Sequence, residues 1–160
     1  MFVAFFNHRS ILPIVFFATS ACNGGQNGGF QEVIEERTLQ GWIAGESWVF
    51  SSGAVQTLED GALQIFLYAE AFDDPCFSQS ELNKVVVRVP PDLSQFALDD
   101  TTRAVELIEA SADDTPNNRI ATVGRVDIET QDENNVFGGL SAYADDDNWV
   151  NGQFDGVVCW

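Results

Sequence analysis

From residue 39 onward, the strongest constraint on the fold is an alternation of apolar and polar side chains interrupted by Asp, Asn, Gly and Pro. Residues 62–69 show it most cleanly, because Leu63, Ile65, Leu67 and Ala69 alternate with Gln64, Phe66, Tyr68 and Glu70. Successive side chains of a strand point to opposite faces, so this period of two predicts a half-buried strand with one aliphatic face. Residues 39–44 and 47–57 are Trp-containing apolar runs hinged at Gly45-Glu46. They read as a tight hairpin in which Trp42 and Trp48 would form a cross-strand pair. Glu59-Asp60-Gly61 makes the next turn, with glycine available for positive φ.

Residues 72–83 read as a loop, and residues 84–89 as a β-branched strand stopped by Pro90-Pro91, which cannot donate to a ladder. Residues 102–110 fit a strand loosely and would tolerate a two-turn helix; neighbouring strands on both sides favour strand. After a loop over residues 111–118, residues 119–130 predict one long strand with a bulge at Gly124. In residues 136–144, Phe137 and Tyr143 share one face and Val136, Leu140 and Ala142 the other. In residues 149–159, Val150, Phe154 and Val158 alternate with Asn151, Gln153 and Asp155. The last three strands should form a meander. The expected class is all-β, an antiparallel β-sandwich or barrel-like fold of about eight strands over residues 38–160.

The amino terminus has a different grammar. His8 and Arg9 precede an apolar run over residues 11–18, and Thr19, Ser20 and Ala21 supply small residues before a cleavage point, the pattern of a secretory signal over residues 1–21. The run makes only about 12 Å of helix against a hydrocarbon core of about 30 Å, so a retained span is not expected.

Thr19-Ser20-Ala21-Cys22 resembles the lipobox of bacterial lipoproteins, with Thr19 where the usual box carries leucine. The resemblance implies cleavage before Cys22, diacylation of its sulfur and acylation of its new amino group by chains such as palmitate. Three chains make a permanent membrane anchor, because each buried methylene contributes about 0.8 kcal/mol. GGQNGG at residues 24–29 then reads as a flexible tether within residues 22–37. Asn23 stands where an aspartate retains many such proteins at the inner membrane, so the resemblance favours the outer membrane of a bacterial cell envelope.

With Cys22 given to lipid, Cys76 and Cys159 remain as one pair in an oxidising compartment and are expected to form a disulfide. The terminal Trp160 is expected to cover it. VDIET, GGLSA and VNGQF ahead of the final cysteine resemble the small uncharacterised β-sandwich lipoproteins of Gram-negative bacteria.

Charge and residue counts restrict the chemistry. Loss of residues 1–21 removes Arg9 alone among the charged groups and leaves six basic side chains against 25 acidic ones, a net charge of −19. That field repels nucleic acid and anionic lipid and leaves basic proteins, cationic ligands and divalent metals as partners. His8, the single histidine, is lost with the signal, which excludes imidazole-based nucleophile activation and zinc sites in the mature chain. Lys84 is the only lysine, and no phosphate-cradling glycine motif is present. No catalytic residue is assigned.

Hard-oxygen clusters remain: Asp73-Asp74, Asp99-Asp100, Asp113-Asp114 with Asn117-Asn118, Asp132 to Asn135, and Asp145-Asp146-Asp147-Asn148. Calcium is their natural ligand, although turns prefer the same residues for backbone reasons. The candidate ligand or metal site is Tyr143, Asp145, Asp146, Asp147, Asn148, Trp149 and Asn151, since flat rings and Asp or Asn side chains together hold sugars. Tyr143 and Trp149 would equally serve as a cross-strand pair. The function expected first is a lipid-anchored, non-enzymatic binding or envelope structural domain with a protein or glycan partner. A calcium-assisted carbohydrate-binding module is the alternative, and a glycosidase using two of the carboxylates stands third.

Overall fold

The computed structural model describes residues 33–77, 80, 82–110 and 117–160. The signal, Cys22, the GGQNGG tether and Asp113-Asp114 lie outside the described residues. Eleven strands follow in order: β1 (Gln40–Ile43), β2 (Glu46–Val49), β3 (Ser52–Thr57), β4 (Leu63–Tyr68), β5 (Lys84–Val89), β6 (Gln95–Leu98), β7 (Val105–Glu109), β8 (Asn117–Ile120), β9 (Val123–Gln131), β10 (Asn135–Asp145) and β11 (Asn148–Cys159). The class is all-β, with no helix among the described residues, and the ambiguous segment around residue 105 is a strand.

The strands form one curled, half-barrel sheet, so that of the two expected forms, sandwich or barrel-like, it is the barrel-like one that this sheet approaches. Its order is β6-β9-β10-β11-β3-β4-β5-β7-β8, and β1 branches from β11 with β2 on its outer edge. The expected meander of the last three strands is present as β9-β10-β11. The twelve-residue β11 is long enough to hold two partners on one edge. Its first half pairs with β1, Gln40 opposite Asn151 and Trp42 opposite Trp149. Its second half pairs with β3, Val157 opposite Ala54 and Cys159 opposite Gln56.

The β11–β3 pairing is parallel, which corrects the antiparallel expectation. The cause is the chain path. Strand β1 opposes β11, β2 reverses at Ala44-Gly45, and Phe50-Ser51 carry the chain into β3 beside the far half of β11.

Both ends of the sheet converge on two residues. β8 closes one end and β9 lies next to the other, yet only Ala121 and Thr122 separate them. Three Cα steps span at most about 11 Å, so the sheet must curl until these strands meet. Ala121 N–H donates to Val105 O on one wing at 3.0 Å, and Thr122 N–H donates to Tyr143 O on the other at 3.1 Å. The single strand expected over residues 119–130 is therefore split at a corner. Gly124 is not the bulge either. The register shifts where Phe137 faces Thr130 and Gly138 faces Ile128, leaving Glu129 as the extra residue. Gly124 instead has φ of 133°, and a Cβ there would meet Ser141 O at 1.9 Å.

The concave face collects one apolar core, including Ile65 and Leu67 of β4, Val85 and Val87 of β5, Leu107 of β7, Leu140 of β10 and Phe154 of β11. Each such side chain contributes about 1.5–3 kcal/mol when fully buried. Trp48 belongs to this core, whereas Trp42 is 44% exposed on the convex face. They are not a cross-strand pair. A two-residue turn pairs odd with even positions, so Trp42 faces Ser47 and Trp48 faces Gly41, on opposite faces.

Asn83 ties this hairpin to the β5–β7 wing. Its carbonyl accepts from Trp48 Nε1 at 2.9 Å, its Nδ2 donates to Ile43 O at 3.0 Å, and its Oδ1 accepts from Ala110 N–H at 2.8 Å. The expected disulfide is present, joining Cys76 to Cys159 with 5.5 Å between Cα atoms. Trp160 does not cover it and is 92% exposed.

Candidate functional site

The β10–β11 hairpin carries all seven candidate residues. At its tip, Asp145 Oδ1 accepts from Asp147 N–H at 3.1 Å and from Asn148 Nδ2 at 2.7 Å. An aspartate that bonds the backbone two residues ahead closes its own turn, so this carboxylate has a local structural task. Asn148 Oδ1 accepts from Ala44 N–H at 2.9 Å, and Gly45 N–H donates to Asp147 O at 3.0 Å. The two hairpin tips are thereby locked together. The lock also holds Ala44 at a φ of 56°, which a non-glycine residue adopts only under such restraint.

Tyr143 and Trp149 are directly opposite each other, as the sequence reading allowed. The Tyr143 hydroxyl donates to Asp146 Oδ1 at 2.8 Å. That hydrogen bond, aided by desolvation and by the charges of Asp146 and Asp145, raises the phenol above its ordinary pKa.

Asn151 points elsewhere. Its Oδ1 accepts from Glu35 N–H at 2.9 Å and its Nδ2 donates to Val33 O at 3.0 Å. The segment from Val33 to Arg37 is thus a strap laid across the convex face, continued by Gln153 N–H donating to Arg37 O at 2.7 Å. The strap lies amino-terminal to residue 38, in the segment that the sequence reading assigns to the tether. Two glycines make room for it. A Cβ on Gly139 would stand 2.6 Å from Ile34 Cγ2, and one on Gly152, at φ of 142°, would stand 2.6 Å from Arg37 O.

Asn148 and Asn151 are each only 4% exposed, with their amides committed to the backbone or to Asp145. What faces outward is Tyr143, Asp146, Asp147 and Trp149. Sequence reasoning missed Trp42, which pairs with Trp149 across β1 and β11. Trp42, Trp149, Tyr143 and Val123 form one continuous row over β1, β11, β10 and β9. No local signal could have found it, because the β1–β11 register joins residues more than a hundred positions apart.

Among the described residues, aspartates of the other clusters close turns, Asp74 by accepting from Cys76 N–H at 3.1 Å. Asp99 accepts from the Thr101 hydroxyl and from the Thr101 and Thr102 N–H groups, and these bonds hold its pKa below the usual carboxylate value. Asp132 is lowered by the N–H groups of Asn134 and Asn135, and Asp60 first by the N–H of Ala62 and also by Arg88. Among the described residues, no three His, Cys, Asp or Glu side chains converge as metal ligands. A hollow of about 430 Å³ holds Glu36 and Glu129 with Arg37, Phe137 and Gln153, and Arg37 there is paired to Glu35 at 2.6 Å.

Compared with known proteins, the chain matches no family model, no curated protein and no solved structure.

Proposed function

We propose that this chain is an extracytoplasmic, lipid-anchored β-domain of a bacterial envelope, acylated at Cys22, with a non-enzymatic role exerted through the convex face of β1, β11, β10 and β9. One observation carries the choice of face: the exposed Trp42 stands in register with Trp149 and Tyr143. The lipobox resemblance supports the anchor and the outer-membrane location. The absence of histidine from the mature chain supports a non-enzymatic role, as does the turn-closing task of Asp60, Asp99, Asp132 and Asp145.

The anchor is tested by metabolic labelling with palmitate. Wild type takes up label and stays with the membrane fraction, whereas Cys22→Ala loses both label and membrane retention. An unlabelled wild type, or a Cys22→Ala chain still held by the membrane, would overturn the reading.

The aromatic row also favours a second reading, carbohydrate binding. Its calcium-assisted form draws on the candidate site less readily, because Asn148 and Asn151 already spend their amides inside the fold. A glycan array comparing wild type with Trp149→Ala decides it; identical profiles discard the sugar.

A further inference from the structure

We infer that the convex face around Trp42 seats on the lipid–water interface of the bilayer that holds the anchor, with zwitterionic headgroups as its partner. The inference rests on acylation of Cys22. Its geometric basis is the point at which the chain joins the domain.

Asn151 fixes Val33 on the convex face, and Asn151 lies two positions along β11 from Trp149, about 7 Å away. Cys22 precedes Val33 by eleven residues, which reach at most about 40 Å even if fully extended. The aromatic row therefore lies beside the point at which the anchored chain joins the domain. Phe77 and Trp160, also strongly exposed, flank the disulfide at the other end of β11, about 33 Å from Trp149.

The chemistry of the near face suits an interface. Trp42 is 44% exposed, and Val33 and Val49 expose 67% and 47% on the same side. With Trp149, Tyr143 and Val123 they make a platform about 20 Å wide, from the roughly 4.8 Å spacing of its five strands. Indole and phenol rings settle at headgroup depth because one part of the ring system is apolar and the other is polar. Charge selects the lipid. Asp146 and Asp147 are exposed beside the row, and a net charge of −19 opposes an anionic surface.

The test uses the full acylated chain in phosphatidylethanolamine and phosphatidylcholine vesicles containing lipid brominated close to the headgroup. Tryptophan quenching is expected in wild type, to fall about twofold in Trp42→Phe and to be unchanged in Trp160→Phe. Val49→Asp, an exposed change that leaves every tryptophan in place, should also reduce it, and so should added phosphatidylglycerol. Equal quenching of wild type and Trp42→Phe, or loss confined to Trp160→Phe, would overturn the inference. Protein that floats with vesicles yet is unquenched refutes the docking face alone. Protein that fails to float refutes the anchor along with it. Glycan binding lost in Trp42→Phe, without quenching in wild type, would assign the face to sugar instead.

Discussion

The two ends of β11 solve the same problem by different means. At its carboxyl end a disulfide fastens the segment around Cys76 to the sheet. At its amino end Asn148 and Asn151 fasten the β1–β2 hairpin and the strap through neutral hydrogen bonds. The difference teaches why amides, not carboxylates, occupy the buried positions of so acidic a chain. Asn151 must accept from Glu35 and donate to Val33 at once, which an ionised aspartate cannot do. Burying an unpaired carboxylate would also cost far more than burying an amide whose bonds are satisfied. Asp145, Asp146 and Asp147 keep to the rim of the same hairpin, where water and turn N–H groups stabilise them.

Breaking the covalent end should have the largest effect. The cysteines are 83 residues apart, and chain-entropy reasoning gives about 4 kcal/mol for such a loop, so Cys76→Ser with Cys159→Ser should lower the unfolding free energy toward that figure. Denaturant titration of the double variant measures it; an unchanged midpoint would mean that Asn83 and the core already hold the loop.

Breaking the amide end comes next. Asn151→Asp should cost about 3 kcal/mol, by losing the donor to Val33 and burying a charge. Asn151→Ala should cost about 1–2 kcal/mol. The order matters more than the values. If the alanine variant were the less stable, packing rather than hydrogen bonding would govern the strap.

The smallest effects are titrations. Asp99 and Asp132 have folded pKa values below their ordinary ones, so their contribution is complete above the carboxylate range and is lost as pH falls through the lowered values. Tyr143 is raised by its bond to Asp146, and Tyr68 by burial, so both titrate above their ordinary 10.0. What they contribute persists up to about pH 10 and is lost as pH rises through the raised values. Ultraviolet absorbance follows these two tyrosines alone, and ionisation of Tyr143 at a lower pH in Asp146→Asn than in wild type would confirm its partner. Normal titration in wild type would discard the tip geometry.

Local pattern carried much of the architecture. Leu63, Ile65 and Leu67 face the core as their alternation required, Pro90-Pro91 ends β5, and the meander β9-β10-β11 follows from short turns. The candidate site was only half legible. Tyr143 opposite Trp149 is a near-neighbour pairing across one hairpin, whereas the burial of Asn148 and Asn151 depends on Ala44, Val33 and Glu35, more than a hundred residues away.

By itself, then, the sequence determined the strand class, the single cysteine pair of the domain and the acidic turns. Each of these depends on side-chain period, residue identity or bonds that span a few residues. Only the tertiary structure decided that β11 would share its edge between β1 and β3, that the sheet would curl until Ala121 and Thr122 bridged its ends, and that Trp42 would join Trp149. Those outcomes are set by which distant strands pair and in what register, and a one-residue slip in register would have turned the same tryptophan into the core.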